Sequence, residues 1–237
     1  MLLHEGTIDL GLIPSIEYSA GDYRIVPGIG VISDGPVASV ALFTKVAVPR
    51  VRSIALDTSS RTSTALMRVL CDRHFRLSPA FVPHAPDLPA MLERCDAALL
   101  IGDRALFAAP RALGVEKIDL GSEWQAMTGL PFVYAFWAGA PGVLSEEDVT
   151  CLQEARDAGV REIDEIARSF FAAEPEKRDV GARYLRENIR FDLGPRERQG
   201  FELFARLAAE AGAAVAPRRA AFYQAPPGGA AILETTS

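Results

Sequence analysis

The sequence predicts an α/β protein of two lobes, and three observations carry that prediction. Short apolar runs alternate with helical periodicity through the first half of the chain, a pattern that builds mixed, mostly parallel sheets flanked by helices. After an apolar, aromatic run at 130–137 (LPFVYAFW) the pattern becomes wholly helical. Residues 46–133 carry strands and helices of their own, so they read as a second lobe inserted into a first lobe made of residues 1–45 and 134–237. The length of 237 residues fits one large domain or two small lobes.

The elements follow in order. Residues 9–13 (DLGLI) form a strand stopped by Pro14, and 23–26 a second strand ended by Pro27-Gly28. Residues 37–44 (VASVALFT) are apolar with small residues interleaved, as in a buried strand, and 52–57 (RSIALD) form a strand with a polar C-terminal end. Residues 62–75 are helical, with Ala65, Leu66, Val69 and Leu70 on one face. A brief strand at Phe81-Val82, a helix at 88–94 and a buried strand at 97–101 (AALLI) complete the inserted lobe. Ser145 followed by Glu146, Glu147 and Asp148 is a helix start, with a capping hydroxyl and acids in the first turn. That helix carries Val149, Leu152, Ala155, Ile163 and Ile166 on its apolar side, with an interruption at Gly159. A second helix covers 177–189. A third opens at Gly194-Pro195, with Phe201, Phe204, Leu207 and Ala208 inward. The tail 217–237, with its Pro-Pro-Gly-Gly run, reads as mobile.

Composition narrows the function. A net charge of −6 and a pI near 5.2 exclude a phosphate-backbone binder, which needs a basic face; nucleic acid is not a partner. No apolar stretch reaches the roughly 18 residues of a membrane span, and the first residues lack the basic and apolar regions of a signal peptide. Cys71, Cys95 and Cys151 have no CxxC spacing and fit a reducing, cytoplasmic setting. His4, His74 and His84 have no ligand spacing, so no metal site is expected, and neither GxGxxG nor GxSxG is present.

Three segments remain that carry chemistry. Thr58, Ser59, Ser60, Arg61, Thr62 and Ser63 lie between a strand and a helix start. Five hydroxyls and a guanidinium beside a helix N-terminus make a site for an anion, most naturally a carboxylate; a plain N-cap in a solvated loop is the structural alternative. Phosphate is disfavoured because the Gly-rich loop and its lysine are absent. In Ser33-Asp34-Gly35-Pro36, the Ser33 hydroxyl and the N–H groups around Gly35 either close an ordinary turn or face the cleft between lobes. Asp103 follows a buried strand, where it either caps the next helix or faces a ligand crevice.

The segments SIEY (15–18), DYRIVPG (22–28), SDGPVASVALF (33–43), ALDTSSRTSTALMR (55–68), DLPAMLERCDAALLIGD (87–103) and WQAMTGLPFVYAFWAG (124–139) together resemble the menaquinone-biosynthesis chorismate dehydratases of the futalosine pathway. The resemblance runs over most of residues 7–210 and is closer to the chorismate-handling branch than to its sister, the 1,4-dihydroxy-6-naphthoate synthases. It implies the two-lobed fold of type II periplasmic binding proteins without a signal peptide. It also implies loss of water from chorismate to give 3-[(1-carboxyvinyl)oxy]benzoate, a hydro-lyase reaction in the cytoplasm that uses no cofactor. Carboxylate binding then falls to Thr58, Ser59, Ser60, Arg61, Thr62 and Ser63, with Gly35 and Asp103 as further contacts and Ser33 near the reacting ring. Family members begin with a strand and loop bearing a Tyr-Leu-Asn-type motif. This chain starts in what resembles the following helix, so a βα unit is expected ahead of Met1. A carboxylate-binding protein of the same fold is the non-enzymatic alternative, and the sister 1,4-dihydroxy-6-naphthoate synthase is the enzymatic one. Oligomeric state is left open.

Overall fold

The computed structural model describes residues 2–215 and 217–224. Two sheets organise these residues. The smaller has three strands, β1 (Leu10–Pro14), β8 (Phe132–Gly139) and β2 (Arg24–Ser33), in the order β1-β8-β2. The larger contains β3 (Val40–Thr44), β4 (Ser53–Asp57), β5 (Ala80–His84), β6 (Ala97–Ile101) and β7 (Glu116–Asp119), in the order β5-β4-β6-β3-β7. Eight α-helices surround them: α1 (Arg61–Leu70), α2 (Leu88–Arg94), α3 (Gly102–Leu106), α4 (Leu120–Thr128), α5 (Glu146–Arg161), α6 (Ile163–Phe170), α7 (Arg178–Arg183) and α8 (Pro195–Glu210).

The most apolar runs form the middle of the larger sheet. Every residue of β3 is buried, and Ala97–Leu100 of β6 are as well, as expected for strands covered on both faces. The expectation of mostly parallel sheets needs correction. Only the pairs of β4 with β5 and β6 are parallel, while β3 runs antiparallel to β6 and β7, and β8 antiparallel to β1 and β2. The βαβ units through α1 and α2 enforce parallel pairing. Strands β3 and β8 instead begin where the chain passes from one sheet to the other, and they enter from the opposite end.

Several boundaries also differ from the sequence reading. Strand β2 does not stop at Pro27-Gly28 but continues to Ser33, absorbing the proline through a register slip between Ile25 and Gly30. The outer edge of β2 is covered: Gly30 N–H donates to Phe191 O and Ile25 N–H to Ala221 O. Residues 217–224 are therefore not a mobile tail. Phe222 bridges to Ile25, and Tyr223 is buried; the Pro-Pro-Gly-Gly run lies outside the described residues. The break after α5 falls at Glu162, not Gly159. Strand β7 and helix α4 have no counterpart in the sequence reading, because EKID is short and charged and its partner β3 is remote in sequence. Cys71 and Cys95 are buried, and burial pushes the Cys71 thiol up to about 12.

One core joins the two sheets. Trp124 of α4, Phe132 of β8 and Phe204 of α8 pack edge to face with ring centroids 4.8–6.1 Å apart. They share a cluster with Leu42, Ile54 and Leu66 of the larger sheet and its helix. Truncating Phe204 to Ala opens a cavity at that junction and is expected to cost about 3–5 kcal/mol in chemical denaturation. A loss below about 1 kcal/mol would show that this aromatic cluster does not join the halves.

Candidate functional site

Two chain segments pass between the sheets, residues 34–39 on the way from β2 to β3 and residues 120–131 on the way from β7 to β8. They lie side by side because of Asp119. Its carboxylate accepts from Val37 N–H (3.0 Å), Ala38 N–H (2.6 Å) and Ser122 N–H (3.0 Å), so it caps α4 and holds the other crossing at once. Gln125 Nε2 donates to Asp34 at 2.9 Å. Gly121 is obligatory here, since a Cβ would sit 2.4 Å from Gly35 O and 2.8 Å from Ser33 Oγ. Gly35 has φ +107°, which side chains resist. Ala38 is held at φ +61° and has no such licence; that strain presents Ser39 to the cleft.

The polar loop after β4 forms the second wall. Ser60 caps α1 by accepting Ser63 N–H (3.2 Å), and its hydroxyl donates to Ser63 Oγ (2.9 Å). The first intrahelical bond runs from Thr64 N–H to Ser60 O. The N–H groups of Arg61 and Thr62 precede it and belong to the electropositive first turn. The N–H and hydroxyl of Ser59 both donate to the buried Asp57 carboxylate, at 2.8 and 2.6 Å. Thr62 Oγ1 accepts Ile16 N–H at 3.4 Å, which joins this loop to the segment after β1.

Between these walls lies a cavity of about 310 Å3. Ser59, Ser60, Thr62 and Ser63 line it, together with Ser39, Tyr134 and Tyr184. Ser39 Oγ and Tyr184 Oη are 2.9 Å apart, and Ser33 Oγ and Tyr134 Oη 3.3 Å. Among the described residues no histidine, carboxylate, lysine or arginine lines it. Burial holds both phenols above their usual range, Tyr134 far above it. The cavity is therefore a neutral enclosure of hydroxyls and aromatic faces, open to a helix N-terminus. Among the described residues no cluster of three or more His, Cys, Asp or Glu has metal-ligating geometry.

The other residues singled out by the sequence lie elsewhere. Ser33 is 1% exposed and stands behind Tyr134. Gly35 shapes the crossing without lining the cavity. Thr58 and Arg61 face a neighbouring cavity of about 280 Å3, which shares Ser60 with the first. Thr58 lies against His84 O, and Arg61 Nη1 is 2.7 Å from Glu17 Oε1. Glu17 is buried and its other oxygen meets His4 Nε2 at 3.2 Å, so the guanidinium offsets a buried charge. Asp103 sits in the first turn of α3 without capping it, in a shallow surface hollow beside Arg104 and Lys177.

Sequence reading missed Ser39, Tyr134 and Tyr184. Ser39 was read inside an apolar strand, Tyr134 as one aromatic among several, and Tyr184 as part of a helix 145 residues further on. Only the positive φ of Ala38 sets Ser39 apart, and no local sequence signal encodes it.

Replacing Asp119 with Ala leaves the N–H groups of Val37, Ala38 and Ser122 without their charged acceptor. The expected cost is about 3 kcal/mol in urea unfolding. Wild-type stability in that variant would mean that the crossings are held by other contacts.

The chain is 33% identical over 231 residues to the chorismate dehydratase of Thermus thermophilus, covering 86% of this chain and 81% of that protein. A crystallised Archaeoglobus fulgidus protein superposes with a TM-score of 0.61 at 16% identity, covering 89% of this chain and 83% of that one. The periplasmic aliphatic sulphonate binding protein of Escherichia coli gives 0.57 at 18%, covering all of this chain and 82% of its own. The fold is thus that of the periplasmic substrate-binding proteins, and the sequence profile of one family matches residues 1–210. The chain belongs to the menaquinone-biosynthesis family.

Proposed function

We propose that this chain is a chorismate dehydratase, a hydro-lyase of menaquinone biosynthesis that eliminates water from chorismate to give 3-[(1-carboxyvinyl)oxy]benzoate. The observation that carries the reading is the cavity at the N-terminus of α1, lined by hydroxyls and phenols. Its volume lies within the range of small-molecule sites. Chorismate is a dianion, and a helix first turn with hydroxyls binds carboxylate without a counter-cation. The 33% identical Thermus thermophilus protein points to the same substrate.

In this reading Ser59, Ser60, Thr62 and Ser63, with the N–H groups of the first turn of α1, hold a carboxylate. Ser33 acts through the phenol of Tyr134, which it touches, and not on the substrate itself. Thr58, Arg61, Gly35 and Asp103 are assigned no substrate contact. The proton leaves the carbon bearing the enolpyruvyl ether, the neighbouring hydroxyl departs as water, and the ring becomes aromatic. A substrate carboxylate held against the acidic C–H serves as base, because proximity replaces base strength. We take residues 34–39 and 120–131 as the crossings between lobes, which puts β3 with the inserted lobe. The cytoplasm is the compartment we propose, in keeping with the free thiols of Cys71, Cys95 and Cys151.

Incubating the protein with chorismate and following mass and aromatic absorbance tests the reading. Formation of 3-[(1-carboxyvinyl)oxy]benzoate is expected; folded protein that leaves chorismate unchanged would overturn it in favour of a binding protein. Ser33→Ala, which removes one hydrogen bond from Tyr134, is expected to lower turnover about tenfold, equivalent to about 1.4 kcal/mol, with a smaller effect on unfolding. Unaltered turnover would remove Ser33 from the mechanism.

A further inference from the structure

We infer that Tyr184 is the proton donor to the departing hydroxyl, and that Ser39 is the partner that aims it. The inference rests on the dehydratase reading and adds the acid that reading lacks. Hydroxide is a poor leaving group, so the C–O bond breaks readily only if the oxygen receives a proton as it leaves. Among the described residues the lining offers aliphatic hydroxyls and two phenols as donors. A phenol, with an ordinary pKa near 10, is much the stronger acid.

Geometry separates the two phenols. Both phenols are on the lining, but Tyr134 projects from β8 beside Phe132 and its hydroxyl partner, Ser33, stands off the lining. Tyr184 and its partner Ser39 are both on the lining, 2.9 Å apart. With Ser39 Oγ as one neighbour, the pair can pass a proton between them and still present one hydroxyl to a ligand. Each member is held by an irregular piece of backbone. Ser39 follows Ala38 at φ +61°, pinned by Asp119. Tyr184 opens a π-turn, Tyr184–Asn188, whose last residue donates from Asn188 Nδ2 to Pro36 O at 3.0 Å. The π-turn and the strained loop are thereby bonded to each other, and irregular turns of this kind are enriched at functional sites. Burial and the nearby Asp103 carboxylate raise the Tyr184 phenol above its ordinary range while the Ser39 hydrogen bond lowers it, so the phenol enters the step protonated and Ser39 partly restores its acidity.

The step balances. The C–H bond at the ether-bearing carbon breaks, its proton goes to the substrate carboxylate, and its electron pair becomes the new ring double bond. The C–O bond to the hydroxyl breaks, and the oxygen takes the Tyr184 proton and leaves as water. The phenolate, relayed through Ser39, recovers the proton held by the carboxylate.

The test measures steady-state kinetics and binding of 3-[(1-carboxyvinyl)oxy]benzoate for wild type, Tyr184→Phe and Ser39→Ala. Tyr184→Phe is expected to lose about 10²–10³-fold in kcat with KM and product affinity within about threefold. Ser39→Ala, which leaves the phenol but frees it, is expected to lose about tenfold in kcat alone. Undiminished kcat in either variant overturns the inference, even if the other does not fold. A loss that appears equally in product affinity also overturns it, because that marks uniform binding. Wild type that gives no product removes the dehydratase reading and the inference together, whereas active wild type with active Tyr184→Phe removes the inference alone.

Discussion

One carboxylate sets the geometry from which the site follows. Asp119 ends β7, caps α4 and accepts two backbone N–H groups from the opposite crossing, at Val37 and Ala38. A charged acceptor bonded to three backbone donors is worth more than neutral bonds of the same number. It also explains how Ala38 is kept at a φ that its side chain opposes. The two passages between sheets are thereby locked in register. Gly121 can lie against Gly35 O, Trp124 is delivered to the core beneath, and Ser39 is delivered to the cavity above.

The cavity gets its chemistry from what Ser39 of the 34–39 crossing and three further parts of the chain bring to it. The α1 N-terminus contributes orphan N–H groups and hydroxyls, β8 contributes Tyr134, and the π-turn before residue 190 contributes Tyr184. None of these groups is charged at neutral pH. An anion enters such a site through aligned dipoles, with no ion pair formed. The charged residues nearby are occupied elsewhere. Arg61 offsets the buried Glu17, and Asp57 is bonded by Ser59. That division keeps the enclosure neutral while its surroundings are tied together, since the Glu17–Arg61 pair and the Ile16–Thr62 bond both join the segment after β1 to α1.

Much of the fold was legible because it follows from local periodicity. The apolar runs at β3 and β6 marked buried strands, that at β4 marked a strand with a polar end, and Ser145, Pro195 and the spacing along α1 marked helices. Strand β7 was not legible, since EKID carries no apolar alternation and exists only through its pairing with β3. Strand direction was misread for a related reason. Alternation of strands and helices predicts parallel neighbours within βαβ units, but β3 and β8 are reached by crossings between sheets.

The sequence by itself determined the α/β class, the family, and the hydroxyl-rich start of α1, because each is written in contiguous residues. It could name Ser59, Ser60, Thr62 and Ser63, whose proximity is covalent. Tertiary structure alone decided that Arg61 turns to Glu17, that Ser33 stands behind Tyr134, and that Ser39 meets Tyr184 across 145 residues of chain. The physical reason is the same in each case. A side chain's role is set by which partner competes for it, and those partners arrive through packing of remote elements, which no local pattern of residues encodes.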